Sequence, residues 1–170
     1  MTTASSAAPS SHSDAPAKPK VKAMALIYRT HPKTGDLELL ATPGFDHQKQ
    51  TPFFRLIGGH VEMGETAADA VLREIKEELG INMTIAKPLG WLENIFTYNG
   101  DVGHELIALF ETSFINPNDI QDAYHFTEHN QDGTIRTYTA AWVNIAAARQ
   151  SSTPIYPLLA NSYIQEKDKT

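Results

Sequence analysis

A mixed α/β layered domain is the fold class that this sequence predicts. Three observations carry it. Residues 67–79 repeat their apolar side chains at helical spacing. Extended apolar segments lie on both sides of that stretch. A final stretch from residue 154 again suits a helix. The 170 residues, 41% hydrophobic and 20% charged, suffice for one domain with a real core.

The elements follow in order. Residues 1–20, MTTASSAAPSSHSDAPAKPK, are mostly Ser, Ala, Pro and Thr. They offer too little apolar surface to offset chain entropy, which predicts a disordered tail before a domain covering 21–170. VKAMALIYR (21–29) reads as a buried strand. His31 to Asp36 forms a turn, with Gly35 supplying the unusual backbone angle. LELLAT (37–42) returns as a second strand, PGFDHQKQTP (43–52) reads as a polar loop, and FFRLI (53–57) as a short strand running into Gly58-Gly59. The helix follows. Thr66 and Asp69 resemble a capping box, and Gly80 occupies the left-handed stop. Ala68, Leu72, Ile75 and Leu79 share its inward face. Residues 83–114 read as an antiparallel pair turning at Asn99-Gly100. Residues 115–134 read as a long acidic loop, 135–145 as a strand and 154–167 as a terminal helix.

Composition narrows the function. The formal net charge is -6 and Lys and Arg are not clustered, which argues against an extended nucleic-acid surface. There are no cysteines, so disulfides, thiolate nucleophiles and Cys-based zinc sites are excluded. No apolar run approaches the roughly 20 residues of a membrane span. The N-terminus has no apolar core of a secretory signal, and a cytoplasmic protein is the simplest expectation.

The most informative stretch is GGHVEMGETAADAVLREIKEELGI, residues 58–81, with Glu62, Glu65, Asp69, Glu74, Glu77 and Glu78 against Arg73 and Lys76. Glu74, Glu77 and Glu78 fall within roughly 100° of the helix wheel, beside its apolar stripe. Like charges four apart repel on a helix. A hard divalent cation would relieve that repulsion, because Mg²⁺ takes oxygen ligands. The adjacent glycines allow close approach of backbone to a ligand. Arg73 can hold a carboxylate by a bidentate bond.

From Gly59 the spacing is five residues to Glu65, seven more to Arg73, then Arg73-Glu74-Ile75-Lys76-Glu77-Glu78-Leu79-Gly80-Ile81. This resembles the Nudix box, G-x5-E-x7-R-E-U-x-E-E-x-G-U with U aliphatic, at every specified position. A chance match is on the order of 10⁻⁹ per start position, so the resemblance is specific. The order of the flanking strands extends it over about residues 21–165.

The resemblance implies an α/β/α sandwich and a Mg²⁺- or Mn²⁺-dependent hydrolase that cuts a diphosphate linkage in a nucleoside diphosphate derivative. Glu74, Glu77 and Glu78 would be metal ligands, with the carbonyl of Gly58 or Gly59 as a further donor. Glu65 would support the site and Arg73 would orient its carboxylates. Members often recruit one more Glu from outside the box, and Glu105 is the first candidate, Glu128 the second. His60 is a candidate phosphate contact. Many members carry Pro before the Gly-Gly, where this chain has Ile57, and Gly or Lys at position 60; these departures concern loop shape and substrate choice. For substrate type, the Pro that marks the ADP-ribose class is replaced by Phe96, while Tyr98 lies where the dinucleoside polyphosphate class has a Tyr. Trp91, Phe96, Tyr98 and Trp142 are aromatic candidates for base stacking or core packing. A nucleotide sensor without turnover and a hydrolase of non-nucleotide diphosphates are the competing readings. Family members often dimerise, which leaves a homodimer open.

Overall fold

The computed structural model describes residues 18–129 and 133–168. The predicted tail lies outside these residues as far as Ala17, as do Asn130, Gln131 and Asp132 of the predicted acidic loop.

Eight strands form one sheet. They are β1 (Lys20–Thr30), β2 (Leu37–Asp46), β3 (Thr51–His60), β4 (Met83–Tyr98), β5 (Asp101–Phe114), β6 (Ala123–His129), β7 (Ile135–Asn144) and β8 (Ile155–Tyr156). The helices are α1 (Ala67–Leu79), α2 (Ile145–Gln150) and α3 (Asn161–Lys167). The strand order is β4-β5-β1-β3-β2-β7-β6, with β8 beside β3. β1 pairs β5 and β3 pairs β8 in parallel; the other pairs are antiparallel, so the sheet is mixed.

Strand β1 shows why both sheet faces are covered. Ala23, Ala25 and Ile27 point to one side, against Val71, Ile75 and Leu79 of α1. Met24 and Leu26 point to the other, against Ala148 of α2 and Ile164 of α3. Alternate residues of a strand face opposite sides, so a strand buried on both sides is apolar throughout. Each large aliphatic side chain buried here contributes about 1.5–3 kcal/mol. Among the described residues no helix is long and apolar enough to cross a membrane.

The ends of α1 follow the predicted chemistry. The Thr66 side chain accepts from the Asp69 N–H, and Gly80 has φ 71°. Its buried residues are Ala70, Val71, Ile75, Glu78 and Leu79, while the predicted Ala68 and Leu72 are half-buried at the margin of the same core. The β4–β5 turn is also as predicted, with φ 49° at Asn99 and 92° at Gly100.

Five elements differ from expectation. Residues 43–52 are mostly strand, since β2 runs to Asp46 and β3 starts at Thr51. Beyond Ala41, β2 has left β7 and pairs β3 alone, so Pro43 lies on a free edge where a missing N–H is tolerated. Gly58 and Gly59 do not bend the chain out of the sheet; they continue β3 opposite Met24 and Ala23 of β1. The acidic stretch contains β6, in which Tyr124 and Phe126 turn inward while His125 and Thr127 face out. The terminal helix is shorter than predicted, because Ile155 and Tyr156 pair with β3 and the helix begins at Asn161. Helix α2 was not predicted; Asn144 caps it by accepting from the Ala147 N–H at 2.9 Å.

Candidate active site

The box residues meet where β3 passes under α1. Gly59 is directly beneath the Glu74 carboxylate, and a side chain there would occupy the same space. Gly58 has φ 135°, and a Cβ on it would strike the Ala23 carbonyl and the Met24 backbone. Both glycines are therefore required by close approach, one of a functional side chain and one of a neighbouring strand.

Arg73 organises the acids. Its Nε and Nη2 donate to the two oxygens of Glu65 at 3.2 and 2.7 Å. Nη1 donates to Glu74 and to Glu77, each at 3.1 Å. Nη2 also donates to the His60 carbonyl at 2.9 Å, tying the helix to the end of β3. Glu65 accepts a further bond from the Glu62 N–H at 2.9 Å. These bonds hold the Glu65 carboxyl below its usual range, Arg73 first among them.

Glu74 and Glu78 shift the other way from Glu65. Burial raises the Glu74 carboxyl despite Arg73 beside it. Burial pushes Glu78 up to about 8, although the Arg55 charge and the Gly58 N–H pull the other way. Oε2 of Glu78 is buried and finds no hydrogen-bond partner among the described residues. Glu77, at the other extreme, leaves 59% of its side chain exposed.

The three helix glutamates thus share a wall but do not meet at one point. Among the described residues no three His, Asp or Glu side chains are gathered closely enough, as they stand, to hold a metal ion. Arg73 accounts for this difference from the wheel argument, since it draws Glu74 and Glu77 to itself while Glu78 turns inward.

A cleft of about 610 Å³ opens along this wall. Glu74, Glu77, Glu78 and Glu128 supply its acidic side; Lys20, Lys22, Arg55 and His60 supply its basic side. Arg55 donates to Glu128 at 3.2 Å, which holds that carboxylate of β6 against β3. Glu105 does not line the cleft. It is 7% exposed, ion-paired to Lys22 at 2.7 Å and bonded by the Asn94 side chain at 3.3 Å. Burial and the charges of Lys22 and Lys20 lower the His60 imidazole. None of Trp91, Phe96, Tyr98 and Trp142 lines the cleft. Phe96 covers Gly103, Tyr98 meets Phe53 edge-on, and Arg29 lies over Trp142.

Sequence reasoning did not single out Lys20, Lys22 or Arg55. A signal existed for each. The two lysines are two apart at a strand start and so share a face, and Arg55 is the one charge within an apolar strand.

Comparison with known proteins agrees with this architecture. The NUDIX domain model matches residues 18–161. Over 80 residues the chain is 29% identical to the putative mutator protein MutT4 of Mycobacterium tuberculosis, covering 47% of this chain and 32% of that protein. Over 46 residues it is 50% identical to an ADP-ribose pyrophosphatase of Methanocaldococcus jannaschii, covering 25% of this chain and 27% of that one. The matched stretches therefore span about a third and about a quarter of these relatives. In structure, a NUDIX hydrolase from Nitrosomonas europaea aligns with TM-score 0.53 at 21% identity over 88% of each chain. The NUDIX domain of Shewanella oneidensis NrtR, complexed with ADP ribose, aligns with TM-score 0.54 at 13% identity over 94% of each. With a family model that covers residues 18–161, the chain belongs to the Nudix family.

Proposed function

We propose that this chain is a pyrophosphohydrolase that uses Mg²⁺ or Mn²⁺ to cut the diphosphate linkage of a nucleotide-type substrate. One observation carries the reading. Glu78 is a buried carboxylate with an orphaned oxygen, in a cleft it shares with Glu74 and Glu77. An isolated buried charge is expensive, and carboxylates kept in such places are paired or coordinate metals. The donor set is all oxygen, which suits Mg²⁺ or Mn²⁺ and not a thiol-seeking ion. Glu74, Glu77 and Glu78 would hold it, with the carbonyl of Gly58 or Gly59 as a further donor. When bound, such an ion supplies positive charge against the phosphates and acidifies bound water.

The remaining chemistry belongs to the chain. Arg73 keeps Glu74 and Glu77 oriented, and Glu65 keeps Arg73 in place through two parallel bonds. Glu128 lines the same cleft as these acids and is steadied by Arg55, which suits it to accept the proton of an attacking water. Glu105 suits that role less, because Lys22 and Asn94 occupy its oxygens. In the reaction the water oxygen bonds to phosphorus and the bond from phosphorus to the bridging oxygen breaks. The resemblance of a short stretch to an ADP-ribose pyrophosphatase supports a nucleotide-type substrate.

The test is to incubate the chain with Mg²⁺ or Mn²⁺ and a panel of nucleoside triphosphates, dinucleoside polyphosphates, nucleotide sugars and ADP-ribose. Cleavage at a diphosphate linkage, lost in EDTA, is the expected result. No product from any member with either metal would overturn the reading. Within an active enzyme, Gly59→Ala should lower kcat about 10²-fold, because the methyl displaces Glu74 by about the ångström that such rates punish. Retained circular dichroism with wild-type kcat would show that Glu74 needs no such seat.

A further inference from the structure

Resting on that hydrolase reading, we infer that the cleft selects its substrate by the phosphate chain. Lys20 and Lys22, beside His60, form a cationic wall that takes a phosphate beyond the scissile linkage, and the nucleobase is not read there. The favoured class is therefore nucleotides with three or more linked phosphates, over those in which one diphosphate joins two neutral sugars.

The wall is built by strand register. Lys20 and Lys22 project to the same side of β1. Lys22 lies opposite His60 of β3. All three line the cleft that Glu74, Glu77 and Glu78 line from α1. Lys22 is held by the buried Glu105 at 2.7 Å, so its ammonium is fixed before any ligand arrives. Among the described residues Lys20 has no ion-pair partner, which leaves the wall with net positive charge. The acidic wall cannot attract phosphate unaided, and a scissile diphosphate there depends on added cations. The lysine wall needs none. A further phosphate would satisfy it, whereas a neutral sugar would leave it unpaired.

Among the described residues the same cleft offers no open aromatic ring face for stacking. Phe126 is its lining aromatic, and it is 6% exposed with its ring stacked on Tyr138 at 5.6 Å. Base recognition by stacking needs an open ring face.

The test is calorimetric titration, in Mg²⁺, with methylene-bridged analogues of a nucleoside triphosphate and of the matching diphosphate. These bind without being cut at the bridge. The triphosphate analogue should bind at least about tenfold tighter, with adenine, guanine, cytosine and uracil forms within about threefold of one another. Lys20→Ala should close that gap about fivefold. Because Lys22→Ala would strand buried Glu105, the second variant is the pair Lys22→Gln with Glu105→Gln, and it should act in the same direction. Equal affinity for the two analogues, or a gap that neither variant moves, would overturn the inference. A strong preference among bases would overturn it too. Turnover of the natural triphosphate and of ADP-ribose, measured in parallel, separates the two readings. The expected binding gap with no product from either compound sinks the hydrolase reading and leaves the phosphate-chain wall standing. Cleavage of both with no binding gap does the reverse.

Discussion

Glu78→Gln is expected to remove turnover and, in the same protein, to raise the melting temperature. The activity loss should be at least about 10²-fold, the scale that changes around a metal site reach even when the ligands themselves are kept. The gain in stability follows from burial. Glu78 is 8% exposed, has one oxygen without a partner, and has its carboxyl pushed from 4.5 up to about 8. The sign is fixed by linkage. A carboxyl whose pKa is higher folded than unfolded binds its proton more tightly in the native state. It favours the fold fully below about pH 4.5, and that contribution is lost as the pH rises to about 8. At neutral pH the folded chain still holds this proton while the unfolded chain has released it, and that difference should cost on the order of 2 kcal/mol, which glutamine avoids. For a domain of this size that corresponds to a rise of about 4–8 °C. Melts in EDTA between pH 4.5 and 8.5 would check it: the two curves should meet at the acid end and diverge above. Coincident curves at pH 7.5 would mean that the buried carboxylate is not strained.

That conflict between stability and use was legible in part. The spacing of Gly59, Glu65, Arg73, Glu74, Glu77 and Glu78 survives as a real grouping, because one helix, the strand beneath it and the short loop between them carry all six. Local chemistry was readable for the same reason. The Thr66 cap, the Gly80 stop and the Asn99-Gly100 turn depend on residues within a few positions of one another. What was not readable depends on which strands become neighbours. The sequence cannot say that β1 lies beside β5, more than 80 residues later, and only that pairing brings Lys22 to Glu105. A lone Glu on a predicted strand then looks free when it is not. Glu128 was obscured differently. Its strand lies in an acidic stretch whose flanks read as loop, and the alternation of Tyr124 and Phe126 with His125 and Thr127 was the available sign of β6. Pro43 and Pro52 misled by the same route, since whether a strand proline is tolerated depends on an edge that topology alone defines.

The second large effect is expected at Arg73, where Arg73→Lys should fail although charge is kept. Five hydrogen bonds leave this guanidinium, to both oxygens of Glu65, to Glu74, to Glu77 and to the His60 carbonyl. A planar fork reaches these groups at once; a single ammonium with three donors on a flexible stem cannot. Lysine would keep one or two partners and release the others. The released carboxylates would repel one another and lose the orientation that the proposed metal site requires. The expected outcome is a fall in kcat of about 10–100-fold, together with a higher Mg²⁺ concentration for half-maximal rate. Stability should fall modestly, by about 1–2 kcal/mol, since Arg73 leaves 27% of its side chain in solvent. Glu65→Gln separates the two roles of the fork. It weakens the seat of Arg73 without touching Glu74, Glu77 or Glu78, so it should shift the Mg²⁺ requirement in the same direction and by less. A lysine variant with wild-type kcat and an unchanged Mg²⁺ profile would show that helix geometry alone aligns the carboxylates, and that Arg73 serves only to tie α1 to the end of β3 through His60.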